Sequence, residues 1–181
     1  MIYKNIDINK QTDGCYVLST NSIFTIINKN TSIIETIFWY PLMEMDCRDF
    51  LSELQNKEYT DFPIILLIKS VISNGTFYWV SLSLEWYMIL NVYDMDIQVK
   101  LNSLLLELKD TKFQDFKKKI RNVLTTKNRY YVDELYKMYR NDKTTFLKKL
   151  VECKIIYKEY CKENTFYVIS NGKKYNFNLE D

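Results

Sequence analysis

A chain of 181 residues, 47% hydrophobic and 27% charged, is long enough and apolar enough to build a core, which excludes disorder, a collagen-like repeat and a coiled-coil rod. Three Gly and two Pro exclude a long flexible linker. The formal charge of +2 conceals a polarity, because residues 1–104 hold 7 Lys and Arg against 12 Asp and Glu while residues 105–181 hold 18 against 11.

In chain order, the first 40 residues read as β. Cys15 to Leu18, Ser22 to Ile27 and Ser32 to Trp39 are rich in β-branched and aromatic residues, with Asn28-Lys-Asn-Thr31 as a polar turn, and Pro41 ends the meander. Helix signals follow. Cys47, Phe50, Leu51 and Leu54 form an apolar stripe behind Asp46, whose carboxylate suits an N-cap. Pro63 opens a second apolar segment that Asn74-Gly75 closes. Residues 76–91 fit both periods: Val80, Leu82, Leu84 and Trp86 alternate, whereas Trp79, Leu82, Trp86 and Ile89 share a helical face. A run of this length favours a helix.

Ile97, Leu101, Leu104, Leu105 and Leu108 mark the next helix, capped by Asp94 or Asp96. Phe113, Phe116, Ile120, Val123 and Leu124 mark another, with Lys117, Lys118, Lys119 and Arg121 on its other face. Beyond it the order expected is a short strand (Asn128–Val132), two short helices (Asp133–Arg140 and Thr144–Cys153) around a turn at Asn141-Asp-Lys, then a hairpin of Ile155–Tyr160 and Thr165–Ser170. That order is winged-helix-like. The expected fold is α+β: an N-terminal β meander and a central helical region over residues 1–127, and a winged-helix-like module over 128–181.

The chain has no His, which removes Ser-His-Asp and Cys-His nucleophile systems and His-dependent zinc motifs. Cys15, Cys47, Cys153 and Cys161 form no C-x-x-C pair and read as reduced thiols. The polar N-terminus lacks an apolar leader, and no apolar run reaches membrane-spanning length, so a cytoplasmic protein with no membrane contact is expected. Glu44-Met-Asp46 and Asp94-Met-Asp96 are spaced as Mg²⁺ ligands sometimes are, but each precedes a helix, where carboxylates serve the N-terminal dipole. No cofactor and no catalytic residue is expected.

At residues 76–125 a resemblance adds to this reading. Thr76-Phe-Tyr-Trp-Val-Ser-Leu-Ser-Leu-Glu-Trp86 resembles the YW-x-x-L-A-L-x-W segment of small helical bacterial proteins associated with toxin immunity, with Ser83 in place of the Ala. The Leu stripe of Ile97–Leu108 and the basic segment Gln114–Asn122 stand where that family has its second helix and a Q-x-x-R-H-type segment, with Asn122 in place of the His. The resemblance implies a non-catalytic protein that neutralises a cognate toxin by covering its active surface. The acidic N-terminal half supplies the expected partner surface: Glu44, Asp46, Asp49, Glu53, Glu58 and Asp61. The alternative is a winged-helix nucleic-acid-binding regulator, with Lys143, Thr144, Thr145, Lys148 and Lys149 on the recognition helix and Lys173 and Lys174 beside the wing.

Overall fold

The computed structural model describes residues 2–108, 113–142, 161–162, 165–170 and 173–178. The protein is α+β, and it divides into two compact units: Met1–Asn91 with Asp96–Ile120, and Val92–Met95 with Arg121–Asp181.

The first unit opens with an antiparallel sheet of β1 (Ile2–Tyr3), β2 (Ile6–Lys10), β3 (Tyr16–Ser19) and β4 (Phe24–Ile27), in that spatial order. Lys4 and Asn5, at φ of 46° and 65°, form the two-residue turn between β1 and β2, as primed hairpin turns require. Pairing of Ile8 with Leu18 and of Tyr16 with Ile27 collects the buried side chains on one face. Tyr16 carries that face onto the helical layer through edge-on contacts with Tyr59 (5.5 Å) and Phe62 (5.0 Å). Strand β2 had no counterpart in the expected elements. Ser32–Trp39, expected as a strand, forms no strand. It is an irregular segment pinned at Ile34, whose N–H donates to the buried Ser70 Oγ at 2.8 Å, and at Trp39, which is fully buried ahead of a 3₁₀ helix, Tyr40–Glu44, with Pro41 in its first turn.

The helical layer contains α1 (Cys47–Asn56), α2 (Ile64–Asn74), α3 (Phe77–Ile89) and α4 (Met95–Glu107). The ambiguous stretch at 76–91 is thus helical. Helix α1 buries Cys47, Phe50 and Leu54, its first, fourth and eighth residues. Gly75 joins α2 to α3 at an ordinary φ of −80°, and the reason for glycine there is space: a Cβ would stand 2.6 Å from the Val71 carbonyl oxygen. The buried polar groups of this layer are mostly matched. Ser70 Oγ donates to Leu66 O and Ser83 Oγ to Val80 O, both at 2.8 Å. Trp86 Nε1 donates to Met45 O at 3.0 Å, and Gln98 Nε2 to Tyr87 Oη at 3.0 Å.

Helix α5 runs from Gln114 to Asn141. Its first turns belong to the first unit, where Phe113 and Phe116 meet Phe77 at 4.6 and 5.1 Å, and Lys119 Nζ donates to Ser81 Oγ and Glu85 Oε1, each at 2.6 Å. The remainder belongs to the second unit, and it corrects the expected strand at Asn128–Val132. Val123, Leu124, Lys127 and Tyr131 continue a helical spacing, and this longer period overrides the locally β-prone Tyr130-Tyr131-Val132. In the second unit Tyr131 stacks on Tyr93 at 4.2 Å. A three-stranded antiparallel sheet of β5 (Cys161–Lys162), β6 (Thr165–Ser170) and β7 (Lys173–Asn178) follows. Thr165–Ser170 is the strand expected there, but its long partner is Lys173–Asn178. Ile155–Tyr160 and the expected recognition helix Thr144–Cys153 lie outside the described residues.

Candidate functional site

Helix α1 organises the acidic surface. Asp46 accepts N–H bonds from Arg48 (2.8 Å) and Asp49 (3.3 Å), so its carboxylate is the N-cap that the sequence indicates. At the far end the chain closes a Schellman motif. Tyr59 N–H donates to Leu54 O at 2.8 Å and Glu58 N–H to Gln55 O at 2.9 Å, with Glu58 left-handed at φ 58°. Glycine is the residue that this position favours, since a side chain there brings Cβ against the backbone.

The six acidic residues separate into two groups. Glu44 accepts from Tyr78 Oη at 2.8 Å and pairs with Lys4. Asp46 is committed to the cap. Asp61 pairs with Lys10 at 2.6 Å and accepts from Tyr16 Oη, and the ammonium first and the phenol second hold its carboxyl below the usual carboxylate range. Burial, and then the facing Asp61, push the Tyr16 phenol up. These three residues tie the sheet, α3 and the loop after α1 into the first unit. Asp49, Glu53 and Glu58 are exposed and, among the described residues, their carboxylates have no hydrogen-bond or ion-pair partner. Asp49 and Glu53 stand four residues apart on α1, where like charges are neighbours.

Beside this surface lies a groove of about 430 Å³ between α1 and the loop that follows it. Arg48, Leu51, Gln55, Tyr59, Phe62 and Ile64 are among its lining residues, and none of the six predicted acidic residues is. The helical wheel explains the separation. Arg48, Leu51 and Gln55 occupy one flank of α1, and Asp49 and Glu53 the other. Sequence reasoning missed the groove, and only the apolar Leu51 at the margin of the stripe hinted at it.

The paired carboxylates have structural duties. Glu44 and Asp46 are engaged as described, and Asp96, in the first turn of α4, pairs with Lys69 at 2.8 Å. Among the described residues no three His, Cys, Asp or Glu side chains gather as a metal cage. Cys15 and Cys47 are free thiols, and burial pushes the Cys47 thiol up to about 11, so it is protonated at neutral pH. No described helix is long and apolar enough to cross a membrane. For the nucleic-acid alternative, Lys173 and Lys174 lie at the start of β7, in register with Ser170 and Ile169, while Lys143, Thr144, Thr145, Lys148 and Lys149 lie outside the described residues. No family model, curated protein or solved structure matches this chain.

Proposed function

We propose that this protein is a non-catalytic binding protein of the cytoplasm, an immunity protein that neutralises a cognate bacterial toxin by covering its active surface. One observation carries the reading: three exposed carboxylates on and after α1 have no hydrogen-bond or ion-pair partner among the described residues. Asp49 and Glu53 stand one turn apart on α1, where like charges repel, with no cation paired to either among the described residues, and Glu58 occupies a left-handed position suited to glycine. The like-charge pair costs a few tenths of a kcal/mol and the left-handed Glu58 roughly 1–2 kcal/mol, and a basic partner offsets the like-charge repulsion on docking. The resemblance at residues 76–125 supplies the class of partner.

The test takes the product of the adjacent reading frame as the candidate toxin and measures its association rate with wild type and with Asp49→Lys/Glu53→Lys/Glu58→Lys. A drop of at least roughly tenfold at low salt, shrinking at high salt, is the expected result. An unchanged rate, or a toxin that stays active when saturated with this protein, overturns the proposal. Retention of the wild-type chain on heparin with a steep salt dependence, without toxin capture, transfers the function to the nucleic-acid alternative.

A further inference from the structure

Among the described residues, strand β4 is a free edge of the first sheet. The spatial order leaves it unpaired on one side, and the opposite edge, β1, is only two residues long. The hydrogen-bond parity of this edge follows from its hairpin. Thr20 N–H donates to Ile23 O at 2.8 Å, which makes the next pair, Ser19 with Phe24, a non-hydrogen-bonded one. Alternation then makes Leu18–Thr25 a bonded pair and Val17–Ile26 a non-bonded one. The N–H and C=O groups of Phe24 and Ile26 therefore point away from β3, toward the open edge. Their side chains share the outer face of the sheet and are 65% and 51% exposed, and the preceding Ile23 is 50% exposed.

Monomeric proteins block such edges with charge, proline, bulges or a covering element. Ser22 to Ile27 holds no charged residue, no Pro and no Gly, and among the described residues no hydrogen bond covers the outward groups of Phe24 and Ile26. We infer that β4 is a self-pairing edge, through which two copies of this chain join antiparallel about a two-fold axis at Thr25. The register follows from the parity. Phe24 faces the partner subunit's Ile26, each exchanging both backbone bonds, and Thr25 faces its own copy in a non-hydrogen-bonded pair. Both flanking pairs unite an aromatic with a β-branched side chain, a favourable cross-strand combination.

A neutral edge offers a charged partner no electrostatic handle, whereas its own copy meets it without repulsion. With the other edge only two residues long, the assembly closes as a dimer and does not grow into a filament. A four-residue strand buries less than the roughly 1,200 Å² of a stable interface, so the dimer dissociates on dilution.

Sedimentation of the full chain tests this. The expected mass is 21.9 kDa at concentrations on the order of 1 μM and twice that near 1 mM. Two variants act at the edge: Phe24→Lys charges an exposed position, and Ile26→Pro deletes an outward N–H together with the exposed Ile26 side chain. Both keep the far-UV spectrum of the wild type and stay monomeric at the higher concentration. Thr25→Cys gives a covalent dimer under mild oxidation, because a non-hydrogen-bonded pair brings Cα atoms to about 4.5 Å, within disulfide range. A monomer at every concentration, a dimer that survives both edge variants, or Thr25→Cys cross-linking no greater than that of the wild-type chain overturns the inference. The first of these outcomes leaves the edge to a strand from a different protein.

Discussion

Glu58 shows how one residue can serve folding badly and still be informative. Its N–H and that of Tyr59 complete the motif that ends α1, and the motif requires a left-handed backbone at position 58. For a residue with a Cβ this conformation costs roughly 1–2 kcal/mol, and glycine lowers that cost while adding freedom to the unfolded chain. Glu58→Gly is therefore expected to stabilise the protein by about 0.5–1 kcal/mol, seen as a higher urea midpoint at unchanged slope. The same change removes a carboxylate from the proposed partner surface, so under the proposed function it is also expected to lower the association rate with the toxin. A lower urea midpoint would show that the Glu58 side chain has a folded-state role.

At the scale of elements, the junction between α2 and α3 places a close-approach glycine. Gly75 N–H donates to Val71 O at 2.7 Å, and an added Cβ would meet that same oxygen at 2.6 Å, with Val71 Cγ1 at 3.2 Å and Trp79 Cβ at 3.3 Å. Two of those three atoms are fixed by helix geometry, so the neighbours cannot simply turn away. Gly75→Ala is expected to destabilise by about 1–3 kcal/mol despite its ordinary φ, because overpacking outweighs the entropy gained in the unfolded chain. Thermal unfolding reads this directly, and an unchanged or raised midpoint would mean that α2 and α3 separate at little cost.

Elements with both a cap and a stripe were legible in the sequence. Asp46 with Cys47, Phe50 and Leu54 predicted α1 to the residue at its start. Elements whose signal is tertiary were not. Helix α3 buries Val80, Ser83, Leu84, Trp86 and Tyr87 on one face, but Phe77, Tyr78 and Ile89 are apolar and exposed, so its pattern fits two periods at once. In the irregular segment before Pro41, Ile34 and Trp39 are anchors for a loop, and β-branched composition there imitates a strand. Strand β2 shows only Ile6 and Ile8 amid polar neighbours, and its burial follows from pairing with β3. The same limit applies to the acidic surface. The role of Asp46 is local and was readable, but the partners of Glu44 and Asp61 are Lys4 and Lys10, 40 and 51 residues away.

At the scale of the whole molecule, the basic C-terminal half contains a buried lysine in line with the apolar positions of α5. Lys127 is 3% exposed, and desolvation pushes its ammonium down to about 8 from an ordinary 10.5. The sign of the effect on stability follows from proton counts. Between pH 8 and 10.5 the unfolded chain holds a proton on Lys127 that the folded chain has released, so this group's contribution to stability rises with pH across that window and is least favourable below it. Lys127→Met keeps the length and apolar stem without the charge. It is expected to raise stability at pH 7 by about 1–3 kcal/mol, with the advantage over wild type closing as pH approaches 10.5. The difference between the two proteins isolates Lys127 from Cys47, whose raised thiol pKa acts in the opposite direction, its contribution being lost from about pH 9 upward. Denaturant unfolding of both chains from pH 7 to 10.5 measures the gap. A gap that stays constant with pH would show that Lys127 keeps its proton in the fold, and that the partners around it, not desolvation, set its state.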